Sequence, residues 1–261
     1  MLQQLGVQLY SVRHFIKTPQ DADLTFQKLA EMGYTEVQTA GHEFDAELFA
    51  ALLQKHGLRV IGTHTKFPKM QENPQETLRV NKLWNSTNIG IGSMPPEYRT
   101  DLKAVKCFIS ECNRLAKFFF EHGCRLTYHN HNFEFCRIDG YKTVMDVLYE
   151  ELDPNTTSFV LDTCWVAAAG ADVCAWLKKL SGRIDILHLK DMTLQKENET
   201  YLPQITEVGN GNLYWDGILQ TARDINVRHY IVEHDNHWID GDPFKSLQQS
   251  ADFLQKYRMI K

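Results

Sequence analysis

The sequence predicts an α/β protein of the (β/α)8 TIM barrel class, folded as a single domain over residues 1–261. Three observations predict it. The chain has 261 residues, close to the ~250 typical of that barrel and enough to bury a sizeable core. Short apolar runs alternate with longer amphipathic segments along the whole chain, the pattern of parallel strands joined by crossover helices. Polar or ionisable side chains close nearly every apolar run, as they do on the C-terminal rim of a barrel rather than at the one crevice of an open sheet.

In chain order the expected strands cover 6–10, 35–40, 59–64, 86–92, 125–131, 158–162, 184–190 and 229–234. The expected helices cover 21–32, 45–56, 71–84, 101–122, 141–151, 172–181, 214–225 and 244–257. Gly33, Gly57 and Gly123 each stand between a helix and a strand, where a left-handed residue ends a helix. Asp45, Asp101 and Asp172 stand at N-cap positions. No linker, repeat beyond the βα unit or low-complexity tract divides the chain.

Composition narrows the function classes. With 43% apolar and 23% charged residues the chain reads as an ordinary globular protein. A net charge of -5 and scattered Lys and Arg give no footprint for nucleic acid. The start, MLQQLGVQLYSVRHF, lacks a charged segment followed by a long apolar stretch, and no window reaches the ~18 apolar residues of a membrane span, so a cytoplasmic location is expected. Cys107, Cys112, Cys124, Cys136, Cys164 and Cys174 form no C-x-x-C pair and read as reduced thiols.

The chemistry concentrates at the strand ends. Alternation along a strand puts His129 and His131 on one face, and likewise His188 with Lys190 and Glu233 with Asp235. An apolar run that closes on an ionisable group must hydrate it, pair it or bind it to metal. His129, Asp162, His188 and Glu233 together make a ligand set of two imidazoles and two carboxylates, suited to Mn, Co, Zn, Fe or Mg. Gln8, Tyr10, Arg13 and His64 are expected to line the mouth, with Trp165 offering an aromatic plane at the rim or serving as an edge residue. Glu36 and Asp191 read as residues that orient neighbours. Trp84, Trp176 and Trp238 read as packing, and His14, His42, His56, His122, His229, His234 and His237 as surface or packing histidines.

These segments resemble the xylose isomerase-like TIM barrel superfamily, which includes sugar phosphate isomerases and epimerases, inosose dehydratases and apurinic endonucleases. The resemblance runs through GVQLYSVR at 6–13, YHNHNFEF at 128–135, LDTCW at 161–165, HLKD at 188–191, VGNGNLYWDGIL at 208–219 and VEH at 232–234. It implies metal ligands on strands 5 to 8, with Asp162, His188 and Glu233 carried over directly. On strand 5 many relatives have Glu before Asn-His, whereas this chain has His129-Asn130-His131. Either histidine fits the ligand role, and His129 matches by position.

The activity implied is that of a divalent-metal-dependent sugar or sugar phosphate isomerase or epimerase, which abstracts a proton beside a carbonyl through a metal-stabilised enediolate. Glu233 or a strand 5 histidine would be the base, Glu134 an acid in place of the missing strand 5 glutamate, and Lys190 a counter-charge for an oxyanion or a phosphate. Loss of a β-substituent from the same enediolate would make the chain an inosose or keto-sugar dehydratase, or a 3-keto-glycoside lyase, and inosose dehydratase-like members share a His-rich strand 5. The rivals are a nuclease, disfavoured by the charge, and a non-catalytic sugar-binding barrel that keeps its metal. The glycines of VGNGN at 208–212 are a candidate phosphate cradle. The expected partner is a small-molecule sugar or sugar derivative, with no nucleic acid and no membrane, in a chain that could assemble as a homo-oligomer.

Overall fold

The computed structural model describes residues 4–41 and 44–259, with side chains through residue 257. His42, expected at the surface, lies outside the described residues. Eight parallel strands close into a barrel: β1 Gly6–Gln8, β2 Glu36–Thr39, β3 Arg59–Thr65, β4 Asn88–Ile91, β5 Arg125–His129, β6 Thr157–Asp162, β7 Ile184–Leu189 and β8 His229–Val232. Each pairs with its neighbours in chain order, and β1 closes the ring by pairing with both β2 and β8. Around it lie α1 Pro19–Glu31, α2 Ala46–Lys55, α3 Phe67–Glu72, α4 Pro74–Leu83, α5 Leu102–Glu121, α6 Val144–Glu151, α7 Thr163–Ala168, α8 Val173–Lys179, α9 Trp215–Asp224 and α10 Pro243–Met259.

Two apolar bodies follow from the period of two. Outward side chains such as Val37, Leu126, Leu161, Leu187 and Val232 join the helices in the main core. Inward ones leave a small cluster inside the barrel, Ile61, Val160, Ile186 and Ile231. The expected caps are present, with Asp45, Asp101 and Asp172 accepting from Leu48, Ala104 and Ala175 amides. Gly33, Gly57 and Gly123 take positive φ of 88°, 69° and 81° where their helices end.

Several boundaries differ from expectation. The expected helix over 71–84 is two helices, because Asn73 leaves helical geometry and caps α4 through Glu76 N–H, with Pro74 following. Strand 1 stops at Gln8, whose side-chain oxygen accepts the amide of Tyr10 and starts a 3-10 turn over Leu9–Phe15. Strand 5 stops at His129, because the Asn130 side chain takes the Asp162 amide. Two hairpins not foreseen follow barrel strands. One pairs Arg137–Asp139 with Lys142–Thr143, and a longer one pairs Asp191–Glu197 with Thr200–Thr206.

Candidate metal centre

The inner face of the barrel builds the site in layers. Val160, Ile186 and Ile231 form the apolar layer, and the next inward positions along the same strands are Asp162, His188 and Glu233. β5 delivers His129 in the same way. Asp162 stands opposite His188 in the ladder, and His188 opposite Ile231. One donor atom from each of His129, Asp162, His188 and Glu233 lies within 4.8 Å of every other, and all four residues are buried. His129 Nε2 is 3.5 Å from Asp162 Oδ2 and 3.8 Å from Glu233 Oε2, and His188 Nδ1 is 3.0 Å from Glu233 Oε2.

The outer atoms of these ligands are already held. His129 Nδ1 lies 3.0 Å from the Gly92 carbonyl, which can only accept, so that nitrogen carries the proton and Nε2 presents its lone pair to the cluster. His188 Nε2 donates to Gln38 Oε1 at 2.5 Å, leaving Nδ1 for the cluster. Asp162 Oδ1 accepts the Trp165 amide at 3.0 Å and caps α7, so Oδ2 alone faces inward. His129 Nε2 and Asp162 Oδ2 are buried without a hydrogen-bond partner. Buried orphans that converge with two further donors fit a divalent cation of borderline hardness.

Charge is arranged to suit. Lys190 is 1% exposed; its Nζ sits 2.5 Å from Asp235 Oδ2, 3.4 Å from Glu233 Oε2 and 3.7 Å from Asp162 Oδ2. Burial works against ionised carboxylates, but the Lys190 ammonium reverses it, holding Glu233 well below the usual carboxylate range and lowering Asp162. Asp235 moves the other way: burial and Glu233 push it up to about 6. Burial and His129 bring His131 down to about 3, so it is neutral. His64 is likewise held well below its ordinary value by burial and by His129 and His188.

Beside the cluster opens a cavity of about 360 Å³ whose lining includes Tyr10, His64, Lys66, Phe67, His129, His131, Trp165, Lys190, Glu233 and Asp235. Of the residues expected in the site, Asp162 and His188 do not line the cavity themselves but cluster with His129 and Glu233, which do. Three others do not line it: Gln8, Glu134 and Arg13, the last of which donates to the backbone carbonyls of Tyr10 and Asp235. Gln8 is fully buried, bonded to Gln38 at 3.0 Å and beside His64 Nδ1 at 3.2 Å, and does not line the cavity. Glu134 is also fully buried, where it accepts the Tyr128 hydroxyl at 2.5 Å and the His131 amide at 2.8 Å, so it fastens the turn after β5 instead of facing a substrate. His131 stands off the four-residue cluster, its ring between Phe133 at 5.7 Å and Trp165 at 5.6 Å.

Sequence reasoning passed over Gln38 and Asp235 as site residues, although both stand at strand ends and Asp235 alternates with Glu233. The glycine-rich 208–212 turn is not an anion cradle, because the Gly209 and Gly211 amides are taken by Asp191 Oδ2. Glu36 sits at the opposite end of the barrel, bonded to Arg59 and His229. His14 and His237 are exposed, His56 pairs with Asp23, His122 lies against the Phe118 carbonyl and His234 is buried; none lines the cavity.

Comparison with known proteins fits this geometry. Over 159 residues the chain is 38% identical to an inosose dehydratase of Mesomycoplasma hyopneumoniae, a match covering 55% of this chain and 51% of that protein. It therefore spans about half the length of the curated relatives it matches. Its fold is similar to that of a sugar phosphate isomerase/epimerase from Parabacteroides distasonis, with TM-score 0.85 and 20% identity over 100% of this chain and 96% of the other. It is also similar to a probable 3-DHS dehydratase from Bacillus anthracis, with TM-score 0.74 and 15% identity over 97% and 98% of the two chains. Residues 26–257 match the family model for xylose isomerase-like TIM barrels, and the chain belongs to that family.

Proposed function

We propose that this chain is a divalent-metal-dependent carbon–oxygen lyase that acts on a polyhydroxylated ketone, an inosose or keto-sugar. The observation that carries the reading is the make-up of β5 and the turn after it. His129 and His131 stand where a carboxylate base paired with Glu233 would serve an epimerase, and His131 keeps a buried Nδ1 without a partner in a residue that lines the cavity. The inosose dehydratase similar to this chain supports the same class.

His129, Asp162, His188 and Glu233 would hold the cation. When bound, it supplies Lewis-acid polarisation of carbonyl and hydroxyl oxygens. His131, whose partnerless Nδ1 belongs to a residue lining the cavity, takes the proton from the carbon beside the carbonyl. The electron pair left behind forms a carbon–carbon double bond as the β-oxygen departs, and the imidazolium returns its proton to that oxygen, so the net loss is water or an alcohol. Lys190, paired with Asp235, offers a hydrogen bond to the carbonyl oxygen, Trp165 packs on the apolar face of the ring, and Tyr10 and His64 offer hydrogen bonds to hydroxyls.

Glu233 also lines the cavity, and a ketone reached by both Glu233 and His131 would be epimerised or isomerised instead. Proton NMR in D2O separates the two, using Mn-loaded protein and a panel of inososes, 3-keto-glycosides and ketoses. An unsaturated ketone appearing as the β-substituent is released supports the lyase. Deuterium incorporation with every substituent retained overturns it in favour of an isomerase or epimerase.

A further inference from the structure

We propose that Lys190 competes with a divalent cation for the carboxylates of Asp162 and Glu233, and that Asp235, which already holds its ammonium, keeps it paired when the cation enters. The inference rests on the reading of the four-residue cluster as a metal centre.

The competition is geometric. Lys190 Nζ lies 3.7 Å from Asp162 Oδ2 and 3.4 Å from Glu233 Oε2, and each of those residues contributes to the metal cluster. Two ionised carboxylates sharing a buried site repel each other and have lost their hydration, so they need a cation or a proton beside them, and Lys190 is the cation within reach. Neither distance is a tight hydrogen bond. The close contact of the ammonium, 2.5 Å, is with Asp235 Oδ2 on the cavity side.

Asp235 has room for more. Its Oδ1 is buried without a hydrogen-bond partner, and its backbone carbonyl is held by Arg13 Nη2 at 3.0 Å, which fixes the loop that carries it. The ring of Trp165 lies 4.8 Å from the ammonium and offers a π face to it. A small movement away from Asp162 and Glu233 therefore keeps Lys190 paired. Three carboxylates and one ammonium leave a net charge of -2, which one divalent cation balances once Lys190 and Asp235 form a neutral pair.

The test is titration calorimetry of chelator-stripped full-length protein with Mn2+ at one pH and ionic strength, together with thermal unfolding of the metal-free and metal-loaded forms. Lys190→Met is expected to bind Mn2+ roughly tenfold or more tightly than the parent protein, while its metal-free form melts at lower temperature. Asp235→Asn is expected to weaken Mn2+ binding in the parent background and to have much less effect in the Lys190→Met background. Lys190→Gln provides a polar replacement should the methionine variant not fold. Unchanged or weaker binding on removal of the ammonium would overturn the proposal. So would an equal loss from Asp235→Asn in both backgrounds, which would make Asp235 a ligand in its own right. Failure of the parent protein to bind Mn2+ at all would overturn the metal centre itself, and this inference with it.

Discussion

A histidine gives a metal one nitrogen, and the hydrogen bond at its other nitrogen decides which. His129 is set by the Gly92 carbonyl and His188 by Gln38, whose Oε1 also accepts from Gln8 at 3.0 Å. Gln8 thus stands one hydrogen bond behind Gln38 and is fully buried there. Gln38→Leu removes the acceptor from His188 Nε2 and is expected to lower Mn2+ affinity about 10- to 100-fold with the fold retained, as read by calorimetry and circular dichroism. An unchanged affinity would mean that His188 needs no orienting partner. The four residues of the cluster were legible in the sequence because each closes an apolar run with an ionisable group. Gln8 and Glu134 were not, because residue type and distance from a strand end do not tell whether a polar side chain faces a cavity or satisfies a nearby amide.

Elements were legible where they share the barrel's periodicity. Helix ends came through well, since a capping carboxylate and a left-handed glycine are local chemistry. Strand ends did not: strands 1, 5, 7 and 8 stop before Tyr10, His131, Lys190 and His234, because a ladder ends where side chains take over its amides, as Thr163 Oγ1 does for Lys190 N–H. The hairpin over 191–206 was missed because most of it is exposed on both faces and shows no alternation. Its anchor is Asp191, which accepts the Gly209 and Gly211 amides and the Trp215 indole on Oδ2 and the Met192 and Leu213 amides on Oδ1. Gly211 has no room for a side chain there, since a Cβ would lie 2.3 Å from Asp191 Oδ1. Asp191→Asn replaces one acceptor oxygen by a donor and leaves buried N–H groups unmatched. A loss of about 2–4 kcal/mol is expected, measured by urea unfolding. A loss below about 0.5 kcal/mol would show that the turn holds without this carboxylate.

At the scale of the whole barrel, the two ends are built on opposite principles. The end away from the cavity is closed by Glu36, which is fully buried and paired with His229 at 3.0 Å and with Arg59. Burial works against its charge, but these partners hold its carboxyl below the ordinary value. A carboxyl lowered in the folded state stabilises the fold above its unfolded pKa, and that contribution disappears as pH falls through the folded value. Glu36→Gln is therefore expected to be less stable at neutral pH and to approach the parent's stability as the pH drops from about 5 to 3, in urea unfolding across that range. A constant difference at all pH values would remove the ion pair from the account.

The cavity end carries the opposite arrangement, in which buried His129 Nε2 and Asp162 Oδ2 are left without hydrogen-bond partners. The strand ladder and the main core, which lies between barrel and helices, close without help from the cluster, so stripping the metal is expected to leave the circular dichroism spectrum intact. Only the converging donors lose their cation. A ligand at about 100 times its dissociation constant stabilises the folded state by ~2.7 kcal/mol, which for a chain of this size raises the melting temperature by roughly 5–10 °C. Mn2+ should produce that rise in the parent protein and none in Asp162→Ala, in which the inward-facing carboxylate is gone. Equal melting temperatures for the parent with and without Mn2+ would mean that the orphaned nitrogen of His129 and oxygen of Asp162 are satisfied in some other way. A rise of the same size in the Asp162→Ala variant would move the cation to a different site.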